Sequence, residues 1–117
     1  RVEQDPDGEY AIVDYKTGGK NKEITNLNES LQLNIYAMGL KAKKKFGKLP
    51  KLISYFYPEK EGQQIFSYEV NQTDIDNTKR KLEEFLKSID DGEFGADPDM
   101  KKCGWCDYKD LCDESKA

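Results

Sequence analysis

The chain opens Arg1-Val2-Glu3-Gln4-Asp5-Pro6-Asp7-Gly8-Glu9-Tyr10-Ala11-Ile12-Val13-Asp14-Tyr15-Lys16, and the architecture follows from this stretch. Two extended runs, Arg1 to Glu3 and Tyr10 to Lys16, flank Asp5-Pro6-Asp7-Gly8. Pro restricts one backbone angle there and Gly supplies turn geometry, so the stretch predicts a β-hairpin. Alternation along the second run places Ile12, Asp14 and Lys16 on one face and Ala11, Val13 and Tyr15 on the other. Thr17-Gly18-Gly19-Lys20-Asn21 then breaks the strand.

Beyond that break, Glu29 to Phe46 reads as an amphipathic helix capped by Asn26 or Asn28. Leu31, Ile35, Met38, Ala42 and Phe46 form one stripe, with Leu33, Tyr36 and Leu40 beside it. Gly47 and Pro50 stop it. Leu52 to Tyr57 and Gln63 to Val70 are rich in aromatic and β-branched residues, and residues 58–62 between them make a loop of hairpin length. A second helix starts near Thr73, carries Ile75, Thr78, Leu82, Phe85, Leu86 and Ile89 on one face, and ends at Gly92. The order is ββαββα followed by a cysteine-rich tail, which predicts a mixed α+β or α/β domain. Residues 1–92 are expected to form the core and residues 93–117 a cysteine-rich clip.

At 117 residues the chain has room for one compact core. Thirteen aromatic residues (seven Tyr, five Phe, one Trp) supply large side chains for it, which argues against a disordered chain. Mean hydropathy is −0.93, and no apolar run approaches the roughly 20 residues of a membrane span. No signal peptide is visible, so a cytoplasmic location is expected. The absence of an initial Met, with a strand already in progress at Arg1, suggests part of a longer domain. A net charge of −4 argues against a wholly basic nucleic-acid coat, so nucleic-acid contact must be local or metal-assisted. With no His at all, Ser-His-Asp and Cys-His catalysis are excluded, as are zinc sites that need imidazole.

Four groups of residues carry potential chemistry. Asp14 closes a largely apolar strand, with Lys16 beside it on the same face. A carboxylate there offers a hard oxygen to a divalent cation, and an ammonium next to it stabilises phosphate charge or orients a water. Asp-x-Lys is short, however, and recurs at Asp99-Met100-Lys101. Gln32 and Tyr36, one helical turn apart, share a face and would reach toward that strand end. The plainer alternative makes Tyr36 a core aromatic with its hydroxyl at the rim, and Gln32 a solvated residue. Cys103, Cys106 and Cys112 form C-x2-C-x5-C, a grouping that suits a soft metal or an iron–sulfur cluster with one ligand from elsewhere. Asp107, Asp110, Asp113 or an upstream Cys would serve as that fourth ligand, and free buried cysteines are the alternative. Lys41, Lys43, Lys44, Lys45, Lys48 and Lys51 form a basic block. It fits either a phosphate-backbone contact or an ordinary solvated helix end.

Arg1-Val2-Glu3, Ile12-Val13-Asp14-Tyr15-Lys16-Thr17-Gly18, Gln32-Leu33-Asn34-Ile35-Tyr36 and the C-x2-C-x5-C tail occur in an order that resembles the RecB-like branch of the PD-(D/E)xK nuclease superfamily. The likeness is greatest to the nuclease domains of UvrD-type helicases and of AddAB, with CRISPR-associated members next. It implies a restriction-endonuclease-like core and a metal-dependent DNA nuclease working with a helicase, in the same chain or a partner subunit, in DNA repair or recombination. By the same resemblance, Asp14 and the backbone carbonyl of Tyr15 hold Mg²⁺ or Mn²⁺, Lys16 is the catalytic lysine, and Gln32 and Tyr36 support the site and contact DNA. Cys103, Cys106 and Cys112 become three of four ligands of a 4Fe–4S cluster in the intact protein. A further metal-binding Asp is implied immediately before Arg1, with a His and the first cluster Cys further upstream, so these residues alone are expected to be inactive. Two other readings remain: a catalytically inactive nuclease-like DNA-binding or scaffold module, and a small zinc-binding interaction domain.

Overall fold

The computed structural model describes residues 1–18 and 24–117. Strands β1 (Val2–Gln4) and β2 (Tyr10–Tyr15) form the expected antiparallel hairpin, with Val2 opposite Ile12 and Glu3 opposite Ala11. Its turn closes through Asp5, whose carbonyl accepts from Gly8 N–H and whose carboxylate accepts from Glu9 N–H. Gly8 adopts φ +82°, a conformation that favours glycine there. Gly19, Lys20 and Asn21 of the expected chain break lie outside the described residues.

Helix α1 (Leu31–Ala42) crosses to β3 (Leu52–Phe56), which pairs parallel to β2, and β4 (Ile65–Glu69) returns antiparallel to β3. The sheet order β1-β2-β3-β4 is therefore mixed, as a hairpin–helix–hairpin order requires when the connection between hairpins is a helical crossover. Ile12 and Ile53 are directly paired and, with Leu33, Ala37, Leu40 and Ile75, make one buried cluster. Phe46 packs at its margin, edge-on to Tyr10 at 5.1 Å.

Three sequence expectations for α1 change. The N-cap of α1 is Ser30, whose hydroxyl accepts from Leu33 N–H, whereas Asn26 heads a 3₁₀ turn at Leu27–Glu29 in left-handed conformation without a capping bond. The buried stripe of α1 is Leu33, Asn34, Ala37 and Leu40, while Ile35 is exposed. Asn34 accounts for this rotation. Its amide donates to Asn28 O at 2.8 Å and Thr78 Oγ1 at 2.9 Å, and its carbonyl accepts from the Tyr68 hydroxyl, so a polar residue is satisfied inside the core. The helix also ends at Ala42, because the next residues form a tight turn in which Phe46 and Gly47 N–H both bond Lys43 O.

Helix α2 (Gln72–Asp90) buries only Ile75 and Thr78 of its expected face, and Phe85, Leu86 and Ile89 are exposed. Both buried positions fall in the first two turns of this nineteen-residue helix, which rises about 28 Å.

Cα packing separates two compact units, Arg1–Glu83 and Glu84–Ala117. The second contains the end of α2 and a short helix, α3 (Met100–Trp105), whose N-cap Asp99 accepts from Lys101 and Lys102 N–H at 2.9 Å each. No helix among the described residues is long and apolar enough to cross a membrane.

Candidate active site

The parallel β2–β3 pairing places Asp14 beside Tyr55, on the face that carries the Ile12–Ile53 core. Lys16, two residues after Asp14, lies on that face as well, since its ammonium contacts Asp14 Oδ2 at 2.9 Å. Both side chains are sheltered, at 18% exposure for Asp14 and 30% for Lys16. The Lys16 ammonium pairs with the buried Oδ2 of Asp14, and no other group among the described residues donates to this oxygen. A buried anionic oxygen costs free energy unless a cation stands beside it, and Lys16 supplies that charge here. Contact with Asp14 holds the Lys16 ammonium above its ordinary 10.5, outweighing the opposing desolvation, so Lys16 is a cation throughout the neutral range.

Helix α1 supplies the other half. Lys16 Nζ donates to Gln32 Oε1 at 2.6 Å, and Gln32 Nε2 donates to the Tyr36 hydroxyl at 3.2 Å. Asp14, Lys16, Gln32 and Tyr36 therefore form one continuous line of contacts. Its strand half follows from alternation along β2, and its helix half from the one-turn spacing of Gln32 and Tyr36. Tyr36 is 41% exposed, so its hydroxyl stands at a rim and not within the core. Asp14, Tyr36 and Lys43 line a cleft of about 520 Å³ whose walls include Val13, Ile35 and Phe46.

Two residues of the site were not singled out from sequence. The Lys16 ammonium stands 5.2 Å from the centroid of the Tyr55 ring, and the Tyr55 hydroxyl shares a 2.8 Å hydrogen bond with Ser30 Oγ. Neither carries a motif. Tyr55 reaches Lys16 only because β3 pairs with β2 in this register.

A divalent cation is the group this carboxylate would suit. Asp14 contributes hard oxygens, with Lys16 paired to Oδ2, and Mg²⁺ is commonly held by one or two carboxylates plus water and phosphate oxygens. Among the described residues, no group of three or more Cys, Asp or Glu side chains gathers around a common point. That applies equally to the tail. Cys103 is buried while Cys106 and Cys112 are exposed, and all three line a cavity of about 170 Å³ with Asp97 and Lys102. As placed, these thiols do not constitute a formed cluster site. The second Asp-x-Lys copy is accounted for by structure, since Asp99 caps α3 and pairs with Lys102 at 3.4 Å.

The model of the PD-(D/E)XK nuclease superfamily matches residues 1–113. No curated protein and no solved structure matches the chain.

Proposed function

Because the chain belongs to the PD-(D/E)XK nuclease superfamily, whose restriction-endonuclease-like architecture its mixed sheet and helices share, we propose that it is a metal-dependent DNA nuclease domain acting at the Asp14–Lys16 end of β2. The observation that carries this reading is the sheltered Asp14 carboxylate paired at 2.9 Å with a lysine that Gln32 holds from α1. Asp14 would hold Mg²⁺ or Mn²⁺, together with the Tyr15 backbone carbonyl. Such an ion supplies a water of lowered pKa and offsets phosphate charge. Lys16, a permanent cation at neutral pH, stabilises the charge that builds on the phosphoryl oxygens as water adds to phosphorus and the ester oxygen departs. Gln32 fixes the ammonium's direction, and Tyr36 fixes Gln32.

The β1–β2 register fits the reading that a second carboxylate ligand would come from the β1 side. Arg1 and Val13 exchange backbone hydrogen bonds of 2.8 and 2.9 Å, so a residue ahead of Arg1 would stand opposite Asp14. Association with a helicase in DNA repair or recombination, in the cytoplasm, and a 4Fe–4S cluster on Cys103, Cys106 and Cys112 with a fourth ligand from elsewhere, extend the proposal. They rest on motif order and cysteine spacing.

Cleavage assays on the full-length protein with Mg²⁺ test the site. Asp14→Asn should abolish turnover, because a neutral amide is a poor ligand for a hard cation. Lys16→Ala should lower turnover about 10²-fold or more, as on removal of one preorganised electrostatic contact. DNA affinity should fall much less in both, since backbone contacts elsewhere dominate binding. Asp99→Asn is the internal control and should cleave normally, as Asn also caps helices well. Full activity in Asp14→Asn would displace the reading in favour of a scaffold module.

A further inference from the structure

Beside the proposed site, Tyr55 makes two contacts that the catalytic scheme does not use. Its ring lies under the Lys16 ammonium at 5.2 Å, and its hydroxyl is bonded at 2.8 Å to Ser30, the residue that caps the helix bearing Gln32. The ring is braced from behind by Tyr57, which is buried and meets it edge-on at 6.1 Å, and Tyr57 in turn meets Phe66 at 6.2 Å. A hydroxyl anchored on the cap of α1 and a ring packed against Tyr57 leave Tyr55 little freedom to tilt.

We propose that Tyr55 is a positioning residue for Lys16, its ring face holding the ammonium at the point where Asp14 and Gln32 Oε1 both reach it. The effect on turnover rests on the nuclease reading, whereas the contact does not. Without such a support, a lysine's four-carbon stem gives its ammonium many positions. Asp14 at 2.9 Å and Gln32 at 2.6 Å each hold the ammonium, and the ring adds a third contact that narrows its position further. The negative face of an aromatic ring attracts a cation without neutralising it, so it sets a direction and leaves the charge available. Ser30 extends this to the helix: one hydroxyl accepts from Leu33 N–H and pairs with Tyr55, so the start of α1, and with it Gln32, is keyed to the same ring.

The test compares Tyr55→Phe with the same position filled by a trifluorinated phenylalanine, in the full-length protein. The two rings have nearly the same shape and both lack the hydroxyl, but fluorine withdraws the negative charge from the ring face. The fluorinated protein should show kcat about two- to fivefold below Tyr55→Phe with KM unchanged, the size expected for loss of one partly exposed cation–π contact. In the substrate-free protein, NMR should show the Lys16 ε-methylene protons shifted upfield by the ring in Tyr55→Phe, and that shift reduced on fluorination. Identical kcat and identical Lys16 shifts in the two proteins would overturn the proposal. If the Lys16 shift responds to fluorination while the wild-type protein cleaves no DNA with Mg²⁺ or Mn²⁺, the nuclease reading falls and the Tyr55–Lys16 contact is upheld.

Discussion

At Asp14 a strand's alternation becomes chemistry. The same two-residue period that buries Ile12 brings Asp14 and Lys16 onto the core face, so this pair was legible from sequence. Gln32 and Tyr36 were expected to reach from their shared face toward this strand end, whereas the particular bond from Lys16 to Gln32 depends on where α1 lands on the sheet. Tyr55 and Ser30 were not legible as site residues at all. Nor was Tyr68, whose hydroxyl donates to Asn34 and whose phenol is pushed up to about 12, first by burial and then by the Asp74 and Tyr55 charges. Its folded pKa lies above the unfolded value of about 10, so the folded state holds the proton more tightly. The stability this contributes is complete below about pH 10 and is lost as pH rises through about 12. Tyr68→Phe should therefore be less stable than wild type near pH 8, and that difference should shrink toward about pH 11.5 in urea-unfolding titrations. A constant difference across that range would show that the phenol's proton does not matter to the fold.

Among the elements, both hairpins and both long helices were readable, since turn residues and apolar periodicity are local signals. The face of α1 was not. Counting apolar residues favours Ile35 and Met38, whereas the buried stripe contains Asn34, whose partners Asn28, Thr78 and Tyr68 come from outside α1. Burial of a polar side chain depends on such partners, and periodicity carries no information about them. The cap was similarly open: Asn26, Asn28 and Ser30 are all competent capping residues, and the 3₁₀ turn at Leu27–Glu29 moves the start of α1 to Ser30. Ser30→Ala removes the bond from Leu33 N–H as well as the Tyr55 contact, and should lower stability by about 1 kcal/mol in equilibrium unfolding. Ser30→Asp would restore the cap and recover most of that loss, unless the Tyr55 hydroxyl bond is the larger contributor.

For the whole molecule, the cysteine tail supplies the decisive measurement. If the 4Fe–4S proposal holds, full-length protein purified without oxygen should be brown and contain iron. Cys106→Ser should lose the iron and unfold at lower temperature, since a ligated cluster ties distant segments together. Unchanged iron in that variant would remove Cys106 from the ligand set, and zinc without iron would favour the interaction-domain reading. The amino-acid sequence by itself determined the element order and the pairing of Asp14 with Lys16, both set by interactions between residues close along the chain. The tertiary structure alone decided that β2 and β3 pair in parallel with Asp14 beside Tyr55, that α1 turns Asn34 inward, and that Gln32 meets Lys16. Each of these joins segments 16 or more residues apart, and no local periodicity specifies the register or rotation that brings them into contact.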